Sequence, residues 1–205
     1  MARGAEGRAM PFSGLRAVSR YILLAGGYLI VLACALIVIE IVMRQVFRSS
    51  MGGVDELAGF ALAVGTAWSF GAVLLDKSHV RIDTVYARFG ERGKALLDIL
   101  SLAGTVLFMG VMVYFATQVL MTSIRFGASS QSSLDIPKAV PQALWVAGLG
   151  WFLMIAAVLL VVCLLAAMRG DWKRVGRLAG APDVEAELQA ELAATEGRDI
   201  GVQRP

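Results

Sequence analysis

The sequence predicts an all-α integral membrane protein with four transmembrane helices. Four apolar runs are each longer than the roughly 20 residues that an α-helix needs to cross about 30 Å of hydrocarbon. Hydrophobic residues make up 58% of the chain and charged residues 17%, and most of the charge lies outside the runs. A soluble core would have to bury all four runs, and no alternating segments indicate barrel strands. A helical membrane domain at residues 21–168 is therefore expected. The runs are Tyr21–Met43, Val54–Leu75, Leu96–Ile124 and Ala143–Met168.

The distribution of basic residues predicts the orientation of these helices. Lys and Arg are frequent in the N-terminal tail (1–20), in the middle connection and in the C-terminal tail (169–205). Short basic segments stay in the cytoplasm, so both termini and the middle connection are expected there, as in a multi-pass protein of a bacterial inner membrane. The net charge of +3 follows from this asymmetry and does not indicate a nucleic-acid partner. The basic residues of these segments are Arg3, Arg8, Arg16 and Arg20; Lys77, Arg81, Arg88, Arg92 and Lys94; and Arg169, Lys173, Arg174 and Arg177, against Arg44 and Arg48 in the first connection and Arg125 and Lys138 in the third.

Charged residues meet at the predicted outer end of the first two helices. Glu40 and Arg44 lie near the end of the first helix, and Asp55 and Glu56 begin the second after a short turn. The acidic pair complements the positive end of the second helix dipole. Because the charges are opposite and the turn is short, Arg44, Asp55 and Glu56 are predicted to form an ion-pair cluster. Glu40 is the candidate fourth member.

The second helix carries a small residue at every fourth position. Gly59, Ala63, Ala67 and Gly71 therefore share one face, which the backbone of another helix can approach closely. Small residues are common in membrane helices, so chance spacing is the alternative. We expect this face to pack against a helix of the same chain or of a partner.

The middle connection predicts a short amphipathic helix between the second and third transmembrane helices. Ile82, Val85, Tyr86 and Phe89 fall at i, i+3, i+4 and i+7, with polar residues on the other side. A helix of this kind lies in the cytoplasmic interface and contacts membrane lipid. The alternative is a two-turn elbow that only joins two spans.

No combination of residues indicates catalysis, a cofactor or a metal site. His79 is the single histidine, so the chain cannot supply the paired axial ligands of a membrane cytochrome. His79 can pair with Asp83 one helical turn later, and a role in proton handling is the alternative. Cys34 and Cys163 are isolated within apolar runs, unlike the paired cysteines of a disulfide oxidoreductase or a metal site. We therefore predict no catalytic residue, no cofactor and no metal ion.

The centres of the helices argue against a substrate pathway. Ionisable side chains deep in a span are costly and usually mark ion or substrate routes. The central thirds of the four runs contain none, and no inverted repeat with broken helices is present. The chain is predicted to pack against other helices and not to conduct.

Several motifs resemble those of the small permease subunit of tripartite ATP-independent periplasmic (TRAP) transporters. The match covers about residues 20–168, and the order of the motifs on a four-helix chain makes the combination fairly specific. Two positions depart from the family pattern: Val54 stands where Trp often precedes the acidic pair, and Ser78 where Gly often precedes the His. The motifs are Arg44 at the end of the first helix, Asp55-Glu56, Trp68-Ser69-Phe70-Gly71-Ala72, Ser78-His79-Val80-Arg81-Ile82-Asp83 and Leu134-Asp135-Ile136-Pro137.

The resemblance implies a non-catalytic subunit of a secondary transporter. In that family the small subunit binds a separate large permease, which carries the sodium and substrate sites and moves as an elevator, while a periplasmic binding protein delivers an organic acid. The implied function is to scaffold the large permease for sodium-coupled uptake of an organic acid, most readily a carboxylate. The alternatives are a four-helix accessory protein outside this family and a redox or haem-binding membrane subunit. The candidate structural or partner contacts are Glu40, Arg44, Asp55, Glu56, Gly59, Ala63, Ala67, Trp68, Gly71, His79 and Asp83.

Overall fold

The computed structural model describes residues 13–75, 89–132 and 134–180, and the elements of regular structure in these ranges are helices. Four of them are long and apolar enough to cross a membrane. The predicted all-α fold with four such helices is confirmed. The helices are α1 (Ser13–Val46), α2 (Val54–Leu75), α3 (Glu91–Arg125), α4 (Ala139–Met168) and α5 (Trp172–Ala179).

Three of the spanning helices begin before the apolar runs that predict them. α1 begins at Ser13, about two turns before Tyr21. α3 begins at Glu91, about one turn before Leu96, and α4 begins at Ala139, about one turn before Ala143. Hydropathy does not assign these polar or Pro-containing turns to a span, although their residues are compatible with the first turn of a helix. Glu91 complements the dipole in the first turn of α3. Pro141 lies in the first turn of α4, where a missing N–H costs no intrahelical hydrogen bond.

The four long helices form an open row in the order α1, α2, α4, α3. α2 packs between α1 and α4, and α3 packs against the far side of α4. The core lies along α4, where Phe152, Ile155 and Cys163 are buried. α1 and α3 form the two edges of the row, so each keeps one long apolar side outside this packing.

A fifth helix, which the sequence analysis did not predict, follows α4. Gly170 adopts a left-handed conformation (φ 73°) that ends α4 and turns the chain. The carboxylate of Asp171 then accepts a hydrogen bond from the backbone N–H of Arg174 (3.1 Å), which caps α5. α5 packs against α3 and α4 and buries Val175 and Ala179. The first residues after α4 are therefore attached to the row.

The predicted amphipathic helix Ile82–Phe89 lies outside the described residues, except for Phe89, whose side chain is exposed. His79 and Asp83 lie in the same segment, 76–88. The interfacial helix and the pairing of these two side chains stay predictions.

Candidate functional site

The connections α1–α2 and α3–α4 meet at one end of the row, which we call the loop end. Gly53 in the first connection has φ 90°, a conformation that only glycine adopts readily. A Cβ atom at this position would lie 2.7 Å from Cδ1 of Leu134 in the other connection. The two connections are thus in close contact, and residue 53 requires glycine for both its conformation and its surroundings.

Glu40 is the centre of the polar contacts in the first connection, and its side chain is only 4% exposed. Its carboxylate accepts hydrogen bonds from Nη2 of Arg44 (3.0 Å), Oγ of Ser50 (2.5 Å) and the backbone N–H of Met51 (3.0 Å). A carboxylate leaves water at acceptable cost only when its oxygens accept hydrogen bonds from the protein. Glu40 therefore ties the end of α1 to the turn that leads into α2.

Arg44 extends this group toward solvent. Its Nη2 lies 4.0 Å from Oδ2 of Asp55 on α2, and the side chains of Arg44 and Asp55 are 59% and 81% exposed. An ion pair with both partners in water contributes little to stability. Glu40, Arg44 and Asp55 come together as the sequence predicted, but the buried member is Glu40, which had been only a candidate.

Glu56 does not join this group. Its carboxylate accepts a hydrogen bond from Oγ of Ser130, which lies 2.6 Å from Oγ of Ser132. Successive residues of an α-helix point about 100° apart, so Asp55 and Glu56 cannot both face Arg44. The predicted single cluster is therefore divided into two, and Glu56 connects α2 to the α3–α4 connection.

Backbone hydrogen bonds hold Ser130 in position. Its N–H donates to the carbonyl oxygen of Ile136 (2.8 Å), and the N–H of Lys138 donates to the carbonyl oxygen of Ala128 (2.9 Å). Ser130 is buried among these contacts. This role of Ser130 could not be predicted from the sequence, because one serine in a Ser-rich loop resembles its neighbours.

The four small residues of α2 have different surroundings. Ala67 and Gly71 are buried against α4, and a Cβ atom on Gly71 would lie 2.8 Å from Cδ1 of Ile155. Gly59 is exposed, with no atom within 4 Å of an added Cβ, and Ala63 is half-buried. Gly59, the member of the predicted face nearest the loop end, therefore lacks a packing partner among the described residues.

Trp68 secures the contact between α2 and α4. Its Nε1 donates a hydrogen bond to the backbone carbonyl oxygen of Leu144 (2.9 Å). Its indole ring also lies over Gly148, where an added Cβ would meet Cδ1 of Trp68 at 2.8 Å and Cβ of Ala67 at 3.0 Å. The absence of a side chain at Gly148 lets Trp68 approach α4 this closely, a role that the sequence did not predict for this glycine.

A close approach of two helices also involves residues that were not selected from the sequence. A Cβ atom on Gly26 of α1 would lie 2.8 Å from the carbonyl oxygen of Gly65 on α2, and one on Gly65 would lie 3.1 Å from the carbonyl oxygen of Gly26. The backbones of α1 and α2 are therefore in contact at this pair, as at small-residue crossings of membrane helices. The sequence feature that could have indicated this crossing was a glycine in the interior of each helix. Neither glycine belongs to the series of small residues at every fourth position of α2.

Asp98 was also missed. It is 1% exposed on α3, toward the end of the row opposite the loop end. The signal was a carboxylate between Leu97 and Ile99 in an apolar run. Buried carboxylates are rare unless they have a partner.

Among the described residues, two of the grooves between the helices are apolar. One of about 350 Å³ is lined by apolar residues of α1, α2 and the start of α4, including Leu32, Phe60 and Leu144. The other, of about 400 Å³, lies among α2, α3 and α4 and includes Phe70 and Phe108. Its one hydroxyl, on Thr105, donates to the carbonyl oxygen of Ser101 (2.9 Å). Neither groove offers a cation or a free polar group to a carboxylate.

No group of three or more His, Cys, Asp or Glu side chains could hold a metal ion within the described ranges. Cys34 is exposed on α1 and Cys163 is buried in α4, so the two thiols lie on different helices of the row. The hydrogen bonds of Glu40, Glu56 and Trp68 thus hold connections and helices together.

Comparison with protein families gives one match for this chain. The chain matches the family model described as "Tripartite ATP-independent periplasmic transporters, DctQ component" over residues 33–167, which is more than half of its length. The chain belongs to the DctQ family. The resemblance to the small permease subunit of TRAP transporters is thereby confirmed. Searches of curated proteins and of solved structures found no match to this DctQ chain.

Proposed function

We propose that this DctQ chain is a membrane scaffold for a separate large permease and contains no substrate or ion site of its own. In this proposal the large permease performs sodium-coupled uptake of an organic acid, and a periplasmic binding protein delivers that acid. The chain's contribution is to hold the permease in the membrane.

The observation that carries the proposal is the apolar lining of the two grooves found between the described helices. A carboxylate substrate needs hydrogen-bond donors or a cation, and Na⁺, like other hard cations, needs several oxygen ligands. The two grooves supply neither. The Asp, Glu, Lys and Arg residues of α1, α2 and α3, the buried Asp98 included, lie toward the helix ends, and α4 has none. This arrangement supports a packing role.

Co-purification tests the scaffold directly. We expect the affinity-tagged DctQ chain, co-expressed with the large permease of its transporter, to retain the permease through size-exclusion chromatography in mild detergent. An unrelated tagged four-helix membrane protein is the control. By calorimetry the DctQ chain alone should bind neither organic acids nor Na⁺. Organic-acid binding by the isolated chain, at the affinity of the complex, would refute the proposal.

We also propose that the loop end faces the periplasm and that both termini are cytoplasmic, because the basic segments lie at the other end. Gln131 and Lys173 are exposed at opposite ends and are suited to cysteine labelling in a Cys34→Ala/Cys163→Ala background. A membrane-impermeant maleimide added to intact spheroplasts should label Gln131→Cys, and it should label Lys173→Cys only after lysis. The reverse pattern would invert the orientation.

A further inference from the structure

Two polar side chains lie on the free side of α3, the side that faces away from α4. Tyr114 is 60% exposed, and Gln118, one turn later on the same face, is also exposed. The buried residues Met109 and Ala116 occupy the opposite side of the helix. Within the described residues, neither the Tyr114 hydroxyl nor the Gln118 amide has a hydrogen-bond partner.

Both residues lie at the depth of the hydrocarbon. α2 has 22 residues and spans about 33 Å, close to the thickness of the apolar core. Along α3, Gln118 lies about 10 Å and Tyr114 about 16 Å from Arg125 at the loop end. Tyr114 is also about 24 Å from Asp98 at the other end.

The direction of the side chains prevents them from reaching the nearer surface. Side chains of an α-helix incline toward its N-terminus, which in α3 is the end farther from both residues. Tyr114 and Gln118 therefore lean toward the middle of the bilayer. Tyr28, exposed on the free side of α1, provides the contrast. It lies about 12 Å from Arg20 and leans toward that end, so its hydroxyl can approach the headgroups.

The threonine hydroxyls of α3 are satisfied within the helix. The hydroxyls of Thr105, Thr117 and Thr122 each donate to the backbone carbonyl oxygen four residues earlier, at 2.8 to 2.9 Å. Tyr114 and Gln118 make no such bond. Lipid tails offer no hydrogen bonds, so an uncovered amide at this depth is costly. Polar side chains in membrane helices commonly find their partners on another helix.

We infer that the side of α3 carrying Tyr114 and Gln118 is a docking surface for the large permease, whose membrane helix supplies a hydrogen-bonding group to Gln118. The inference rests on the proposed scaffold function. A second copy of this chain fits the surface poorly. Arg125 is exposed on the same face, and a symmetric parallel pair would place the two Arg125 side chains at the same level facing each other.

Photo-crosslinking in the complete complex tests this assignment. Gln118→p-benzoylphenylalanine, irradiated in native membranes, should give a covalent product with the large permease, which mass spectrometry maps to a membrane helix. Cross-links to lipid alone, or to a second copy of the chain, would overturn the inference. If they occur while the native chains still co-purify, the docking surface is wrong and the scaffold function stands. If the native chains do not co-purify, the scaffold function fails as well.

Substitution gives a second test with opposite expectations for protein and lipid. Gln118→Leu should weaken binding of the permease about three- to thirtyfold, the range for loss of an interhelical hydrogen bond. Gln118→Asn, which retains the amide, should lose less. If Gln118 faces lipid, Gln118→Leu removes a costly polar group, and the permease binds as tightly as to the native chain. That result would overturn the inference. The helix content of both variants should equal that of the native chain.

Discussion

Replacing Gly26 by alanine should separate α1 from α2 and destabilise the chain. The new Cβ atom would lie 2.8 Å from both the carbonyl oxygen of Gly65 and Oγ of Ser69. A backbone carbonyl cannot rotate away, and Ser69 is held by its own hydrogen bond to the same oxygen (2.7 Å). Either α1 shifts or the contact is lost, and overpacking of this kind typically costs about 1–3 kcal/mol. Thermal unfolding in detergent should show a lower midpoint.

Gly27→Ala is the matched control, because no atom lies within 4 Å of a Cβ at that position. Alanine also favours the helix more than glycine does, so this variant should be as stable as the native chain or more so. A second pair gives an independent comparison: Gly148→Ala should be destabilising and Gly150→Ala should not. Equal effects within both pairs would contradict the close helix contacts.

Glu40→Ala should loosen the loop end and reduce assembly with the permease. It removes the acceptor of hydrogen bonds from Arg44, Ser50 and the Met51 backbone. The unpaired N–H and hydroxyl would have to find water or rearrange the turn. Cysteines introduced into the turn should become more accessible to labelling reagents. The amount of complex recovered by co-purification should fall.

Asp55→Ala is the control for Glu40→Ala, because it removes a carboxylate that is exposed and 4.0 Å from Arg44. It should leave assembly nearly intact. Charge exchange by Glu40→Arg with Arg44→Glu should not rescue the complex, because arginine cannot accept the hydrogen bond from Met51. Rescue by the exchange would mean that charge pairing alone explains the role of Glu40.

Hydropathy predicts the four spans because it depends only on local composition, and helices α1 to α4 follow the apolar runs to within about two turns. Hydropathy does not predict α5. Its eight residues bury Val175 and Ala179 against other helices, and a helix that is stabilised mainly by tertiary contacts has little signal of its own.

The candidate site shows the same limit in finer detail. The four-residue spacing placed Ala67 and Gly71 on one face of α2, and this part of the face packs against α4. The spacing could not show that the contact with α4 does not extend to Gly59. Ser130 donates a hydrogen bond to Glu56 only because the α3–α4 connection folds against the start of α2. The crossing at Gly26 and Gly65 depends on which helices are neighbours. These contacts depend on the tertiary arrangement of the helices, which residue spacing within one helix does not predict.

Uptake by purified components in vesicles tests most directly the proposal that this DctQ chain is a scaffold without a substrate site. The large permease is reconstituted with and without the chain, together with the binding protein and a sodium gradient. The rate of organic-acid uptake and the competition profile among acids are then measured. We expect the rate to fall sharply without the chain and the order of preference among acids to be unchanged for any residual uptake. Full-rate uptake by the permease alone, or a changed preference when the chain is present, would contradict the account.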